Sequence, residues 1–142
     1  MPETLVQTNI FYENIILIPV ITIIITIVLK GIVFKLLGKK DHVSLALGSG
    51  GMPSAHSSFV SSLTTAIAIK HGIDSDLFAL ALVIAVVVIY DAINVRYEAG
   101  LHAKAMNKNL GSNFKESLGH LPSEAFAGSI LGIIVAVILK VI

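Results

Sequence analysis

Apolar and polar positions along the chain fall into long blocks rather than a short alternation. One block, from about Ile15 to Leu37, is dense in isoleucine and valine and is interrupted by Lys30. A second runs from about Leu77 to Arg96 with Asp91 near its end, and a third from about Ser123 to Ile142. Each can cross a hydrocarbon layer of ~30 Å, which takes about 20 apolar residues per helix. The β-branched bias costs little there, because a lipid-facing segment has no other backbone arrangement open to it. Between the first two blocks, the stretch from about Ser54 to Lys70 predicts a helix of roughly 17 residues, ~25 Å long. It carries Ser57, Ser58, Ser61, Ser62, Thr64 and Thr65, which suits a spanning helix sheltered by its neighbours. The pattern thus predicts an all-α integral membrane bundle of about four transmembrane helices. The stretch from Tyr97 to Asn109, with Ala99, Leu101, Ala103 and Met106 among polar residues, suits a short interfacial helix.

Composition agrees with a membrane setting. The chain is 55% hydrophobic and 13% charged, with a mean hydropathy of +0.88, whereas a soluble domain carries roughly 25% charged residues. Its 142 residues allow a single domain, 1–142. The absence of cysteine excludes disulfide and thiolate chemistry, and a net charge of +1 supports no nucleic-acid partner. The N-terminus lacks a basic n-region and a small-residue cleavage site, so the first block is expected to stay as an anchor.

Lysine and arginine in the connecting segments set the expected orientation. Lys35, Lys39 and Lys40 flank the first loop, and Arg96, Lys104, Lys108 and Lys115 occupy the segment before the last helix. Both segments are expected in the cytoplasm. Glu3, Glu13 and the turn from His71 to Asp76 face the other side, with Lys140 a dissenting charge. This orientation gathers Lys30, Lys39, Lys40, His56, Asp91, Arg96, His120 and Glu124 into one cytoplasmic layer. Ionisable groups at the rim of a bundle are expensive unless paired, which makes that layer the functional candidate.

Two local patterns sharpen the chemistry. In GSGGMPSAHSS, residues 48–58, glycines and a proline lead into a helix start whose free N–H groups, with Ser54, suit a phosphate. In GHLPSE, residues 119–124, a proline sits near a helix start and His120 and Glu124 are four apart, hence able to meet on one face. A carboxylate holding one imidazole nitrogen fixes the tautomer and makes the other nitrogen a better nucleophile or base. Two histidines, an arginine, lysines and a glycine-led helix N-terminus fit phosphate-ester chemistry with no metal and no cofactor. Asp91 pairs with Arg96 or a lysine, and His42 and His71 are expected to be ordinary loop histidines.

From about Lys30 onward the chain resembles the divergent branch of the type 2 phosphatidic acid phosphatase superfamily, related to acid phosphatases and vanadium-dependent haloperoxidases. The likeness rests on GGMPSAHSS, on YDAINVR followed by AG, and on GHLPSE followed by AG. Pro53-Ser54-Ala55-His56 is similar to the superfamily's PSGH motif, with alanine for glycine. His120-x3-Glu124 looks like the nucleophile and its orienting acid, with glutamate for aspartate. Arg96 and His102 offer a rival Arg-x5-His match, but Met106 stands where that match needs an aspartate.

The resemblance implies a membrane lipid phosphatase working through a phosphohistidine. His120 would attack phosphorus, Glu124 steady the imidazolium, and His56 protonate the leaving oxygen. Lys30 or Lys39, with Lys40, Ser54 and Arg96, would hold the phosphoryl group, and Asp91 would orient Arg96. A cytoplasmic site in the cell membrane favours phosphatidylglycerophosphate or phosphatidate over a polyprenyl pyrophosphate. The competing classes are a small transporter or proton relay, whose polar residues would spread across the membrane depth, and an inactive phosphatase-like scaffold. Gly128 and Gly132, four apart on the last helix, give it a small-residue face. Packing within the chain is the plain reading of that face; a second copy enclosing the polar groups would make a homodimer or higher oligomer.

Overall fold

The computed structural model describes residues 9–48 and 50–141. Glu3, Ser49 and Ile142, which entered the sequence reading, lie outside the described residues. All regular elements among those described are helices: α1 (Ile10–Glu13), α2 (Leu17–Leu36), α3 (His42–Leu47), α4 (Ala55–His71), α5 (Asp76–Ile93), α6 (Val95–Leu110) and α7 (Pro122–Val141). Side-chain caps start three of them. Asn9 Oδ1 accepts from Phe11 N, Ser54 Oγ from Ser57 N, and Ser75 Oγ from Phe78 N, each satisfying an N–H that the helix itself leaves free. Gly111, left-handed at φ 64°, closes α6.

Small and polar residues fill the inside, and large apolar ones cover the outside. On α2 the buried positions Ile18, Thr22, Thr26 and Lys30 repeat every four residues. They meet the buried serines of α4, and Thr26 and Ser58 share a hydrogen bond of 2.8 Å. Thr22 and Thr26 also donate to the carbonyls one turn back, so their hydroxyls are satisfied where no water reaches. Meanwhile Ile24, Val28, Val83, Val86, Val87, Ile133 and Ile134 are exposed, the inverse of a soluble protein. Among the described residues three segments are long and apolar enough to cross a membrane: Leu17–Leu36, Asp76–Leu110 and Pro122–Val141. The shorter and more polar α4 is enclosed by α2, α5 and α7, all of which pack on it.

The closest crossing is α4 on α7. A Cβ placed on Gly128 would lie 2.4 Å from the carbonyl oxygen of Ser54, and one on Gly132 would lie 2.4 Å from that of Ser58. Glycine is needed there because two backbones touch. The small-residue face of the last helix is therefore spent on α4 of the same chain and is not free to receive a second copy.

Three details depart from the sequence reading. The expected loop between Gly38 and Pro53 contains α3. A further short helix, α1, precedes α2. The third spanning helix ends at Ile93 instead of Arg96, since the chain turns at Asn94 (φ −114°, ψ −76°). That turn puts Asp91 in the last turn of α5 and Arg96 in the first turn of α6.

At the end away from these motifs, Asn9 donates to the Leu139 carbonyl and Lys70 to that of Glu13. Lys140, the dissenting charge, is tucked 4.1 Å from the centre of the Tyr12 ring, a contact suited to a cation without a carboxylate.

Candidate active site

Three hydrogen bonds to backbone carbonyls, two from backbone N–H groups and one from a lysine side chain, assemble the other end of the bundle. His120 N donates to the Ala92 carbonyl at the end of α5, at 2.9 Å. Ser54 N, at the cap of α4, donates to the Glu124 carbonyl in the first turn of α7, at 3.1 Å. Lys30, almost wholly buried, extends from α2 to the Gly48 carbonyl at 2.7 Å. Four helix ends are thereby tied into one layer. The strap from Gly111 to Leu121 completes it, lying across α6 where Gly100 and Gly119 permit contact. A Cβ on Gly100 would lie 2.6 Å from the Glu116 carbonyl oxygen, and at Gly119 the φ of 75° adds a second reason for glycine.

Within this layer the side chains form two linked sets. Glu124 Oε2 accepts from His120 Nδ1 at 3.2 Å and from Leu121 N at 3.0 Å. The backbone N–H fixes the carboxylate, and the carboxylate fixes the imidazole with its proton on Nδ1, leaving the Nε2 lone pair free. In the second set Asp91 pairs with Arg96 Nε, and Arg96 Nη1 donates to His56 Nε2 at 2.8 Å. An arginine can only donate, so His56 Nε2 is an acceptor and its proton sits on Nδ1. That Nδ1 is buried and has no hydrogen-bond partner among the described residues. The two imidazoles stand 6.3 Å apart, centre to centre, at 61°.

Burial pushes the pKa of His120 below the ordinary histidine value, with Glu124 acting in the opposite direction and Lys30 and Arg96 lowering it further. A neutral, oriented imidazole beside an arginine can act as a nucleophile toward an anionic ester. A cavity of about 400 Å³ between α2, α4 and α5 is walled by Ile23, Phe59, Ile84 and Val88 and reaches His56 and Arg96.

The structure brings together His56, Asp91, Arg96, His120 and Glu124, with Ser54 tied to Glu124 through the backbone and Lys30 within electrostatic reach of His120 and Glu124. Ser54 Oγ is occupied as a helix cap, accepting from both Ser57 N and Ser57 Oγ, and Lys30 holds the glycine loop. Lys39 and Lys40 are not in this cluster; they line grooves that reach Gly48 and, for Lys39, Gly50 and Gly51. His102 is exposed on α6 and joins neither set. The sequence reading missed the part played by Lys115, which lies against Gly48. Its only signal was one more positive charge in a connecting segment.

Compared with known proteins, residues 11–135 match the divergent PAP2 family. YuiD, an uncharacterized membrane protein of Bacillus subtilis, is 36% identical over 138 aligned residues, covering 82% of this chain and 87% of that protein. No solved structure matches. With its apolar helices and this relative, the chain is an integral membrane protein.

Proposed function

The chain belongs to the divergent PAP2 family, and from that premise we propose that it hydrolyses a lipid phosphomonoester through a phosphohistidine. The observation that carries this reading is the meeting, at one end of the bundle, of a carboxylate-held His120 with a second histidine bound to arginine. His120 Nε2 attacks phosphorus while Glu124 stabilises the imidazolium that forms. Arg96 is at first engaged with His56. A phosphoryl group arriving between the histidines draws the guanidinium onto its oxygens, which frees His56 Nε2 to take up a proton. His56 is then the acid that protonates the departing lipid alkoxide, and water cleaves the phosphohistidine to release phosphate and free His120. Asp91 orients Arg96 from outside the reacting group.

Two features support a lipid substrate. The apolar cavity reaches His56, and α2 and α5 both pack on α4 but barely on each other, leaving a side opening for acyl chains. The lysine distribution supports a cytoplasmic site, which favours phosphatidylglycerophosphate or phosphatidate. The gathering of ionisable groups at one end counts against a transporter or proton relay.

The test is phosphate release by purified protein from phosphatidate, phosphatidylglycerophosphate and polyprenyl pyrophosphate, in EDTA and with vanadate. Release that survives chelation and is inhibited by vanadate is expected. No release from any of the three, or release that stops on chelation and returns with a divalent ion, contradicts the reading.

A further inference from the structure

Outside the histidine cluster, three cations converge on a groove for which the proposed reaction has no use. Two adjoining cavities, about 490 and 660 Å³, share Ser44, Gly48 and Lys115. Lys39 lines the first together with Phe34 and the backbone of Gly50 and Gly51; Lys40 and Asp41 line the second. Neither is lined by His56, His120 or Arg96. The ion pairs among the described residues are Arg96–Asp91 and His120–Glu124, so none of the three lysines is in one, and Asp41 is the one carboxylate residue lining the two cavities.

Lysines that merely set membrane orientation need not converge, and Lys104 and Lys108 stand exposed along α6 outside the groove. Lys115 differs from them. It is brought back by the strap from far along the chain, to the same Gly48 whose carbonyl Lys30 holds, and it lies within electrostatic reach of Lys30. Like charges drawn together beside a hydroxyl and a glycine backbone form a site for a multiply charged anion, since each N⁺–H···O⁻ contact with it relieves repulsion.

We propose that this groove is a second phosphate-binding site, separate from the reacting phosphoryl group. Its ligand is a phosphate group on inorganic phosphate or on a lipid head group at the membrane surface. Lys39 and Lys115 grip it, Ser44 donates a hydroxyl, and Lys40 adds charge at the outer edge. The assignment does not depend on the hydrolytic reaction.

The test uses full-length protein in phosphatidylcholine nanodiscs, with equilibrium dialysis of labelled inorganic phosphate and native mass spectrometry of added phosphatidylglycerol. Lys39→Ala with Lys115→Ala should weaken binding of at least one ligand about tenfold, and the paired arginine substitutions should restore it. Lys104→Ala with Lys108→Ala removes the same charge from α6 and should change nothing. A loss confined to inorganic phosphate identifies a free anion as the ligand, and one confined to phosphatidylglycerol identifies a head group. The proposal fails if the groove variant binds both ligands like wild type, if the α6 variant loses as much, or if binding is lost only in His120→Ala.

Discussion

His120 is 2% exposed, and its protonation state decides whether it can act. A histidine nucleophile works only when neutral, so its active form is present above its pKa and lost as the pH falls through it. Burial lowers that pKa from 6.5, which extends the active form toward acid. The acid limb of kcat/KM should therefore lie below 6.5. Glu124→Gln removes the influence that raises the pKa, so the limb should move further down while turnover falls by roughly 10²–10⁴. A limb that stays in place or moves up in this variant would show that the titrating group is not His120. Steady-state rates across pH for both proteins make the comparison.

Helices α4 and α7 set the distance between the two histidines, and their crossing depends on Gly128 and Gly132. A side chain at Gly132 has nowhere to go, because the Ser58 backbone occupies the space. Gly132→Leu should destabilise by about 3 kcal/mol or more, since overpacking against backbone costs at least the upper end of the usual range. Turnover should fall with it, because α7 carries Glu124 and follows directly on His120. Thr26→Val removes one interhelical hydrogen bond and should cost only about 0.6 kcal/mol. Thermal unfolding in detergent measures both, and a Gly132→Leu protein as stable as Thr26→Val would contradict the crossing.

The extents of α2 and α7 and the start of α5 were legible in the sequence, because lipid imposes both length and apolarity on a crossing helix, and α4 was legible from its run of apolar and small hydroxyl residues between a proline–serine start and a glycine. The His120–Glu124 pair was legible for a local reason, a spacing of four residues. The use of Lys30 as an anchor for the Gly48 carbonyl was not, nor was the hold of Arg96 on His56. Each joins segments far apart in the chain, and no local pattern specifies such a meeting. The helix α3 was hidden because six residues among glycines and charges carry too little periodicity to stand out.

At the scale of the whole molecule, one end carries the histidines and the lysine groove, and the other is closed by α1 against Lys70 and Lys140. The sequence contains no cysteine, so a single introduced thiol reports its side of the membrane without background. Lys108→Cys should react with an impermeant maleimide only from the cytoplasmic side, and Asp74→Cys only from the opposite side. The reverse labelling would move the site to the outer face and favour a polyprenyl pyrophosphate as substrate. The most direct measurement for the molecule as a whole is phosphate release from a lipid phosphate by wild type, His120→Ala and His102→Gln side by side. Turnover abolished in His120→Ala and largely kept in His102→Gln is the expected result; activity that survives without His120, or is lost without His102, would contradict the assignment of the nucleophile.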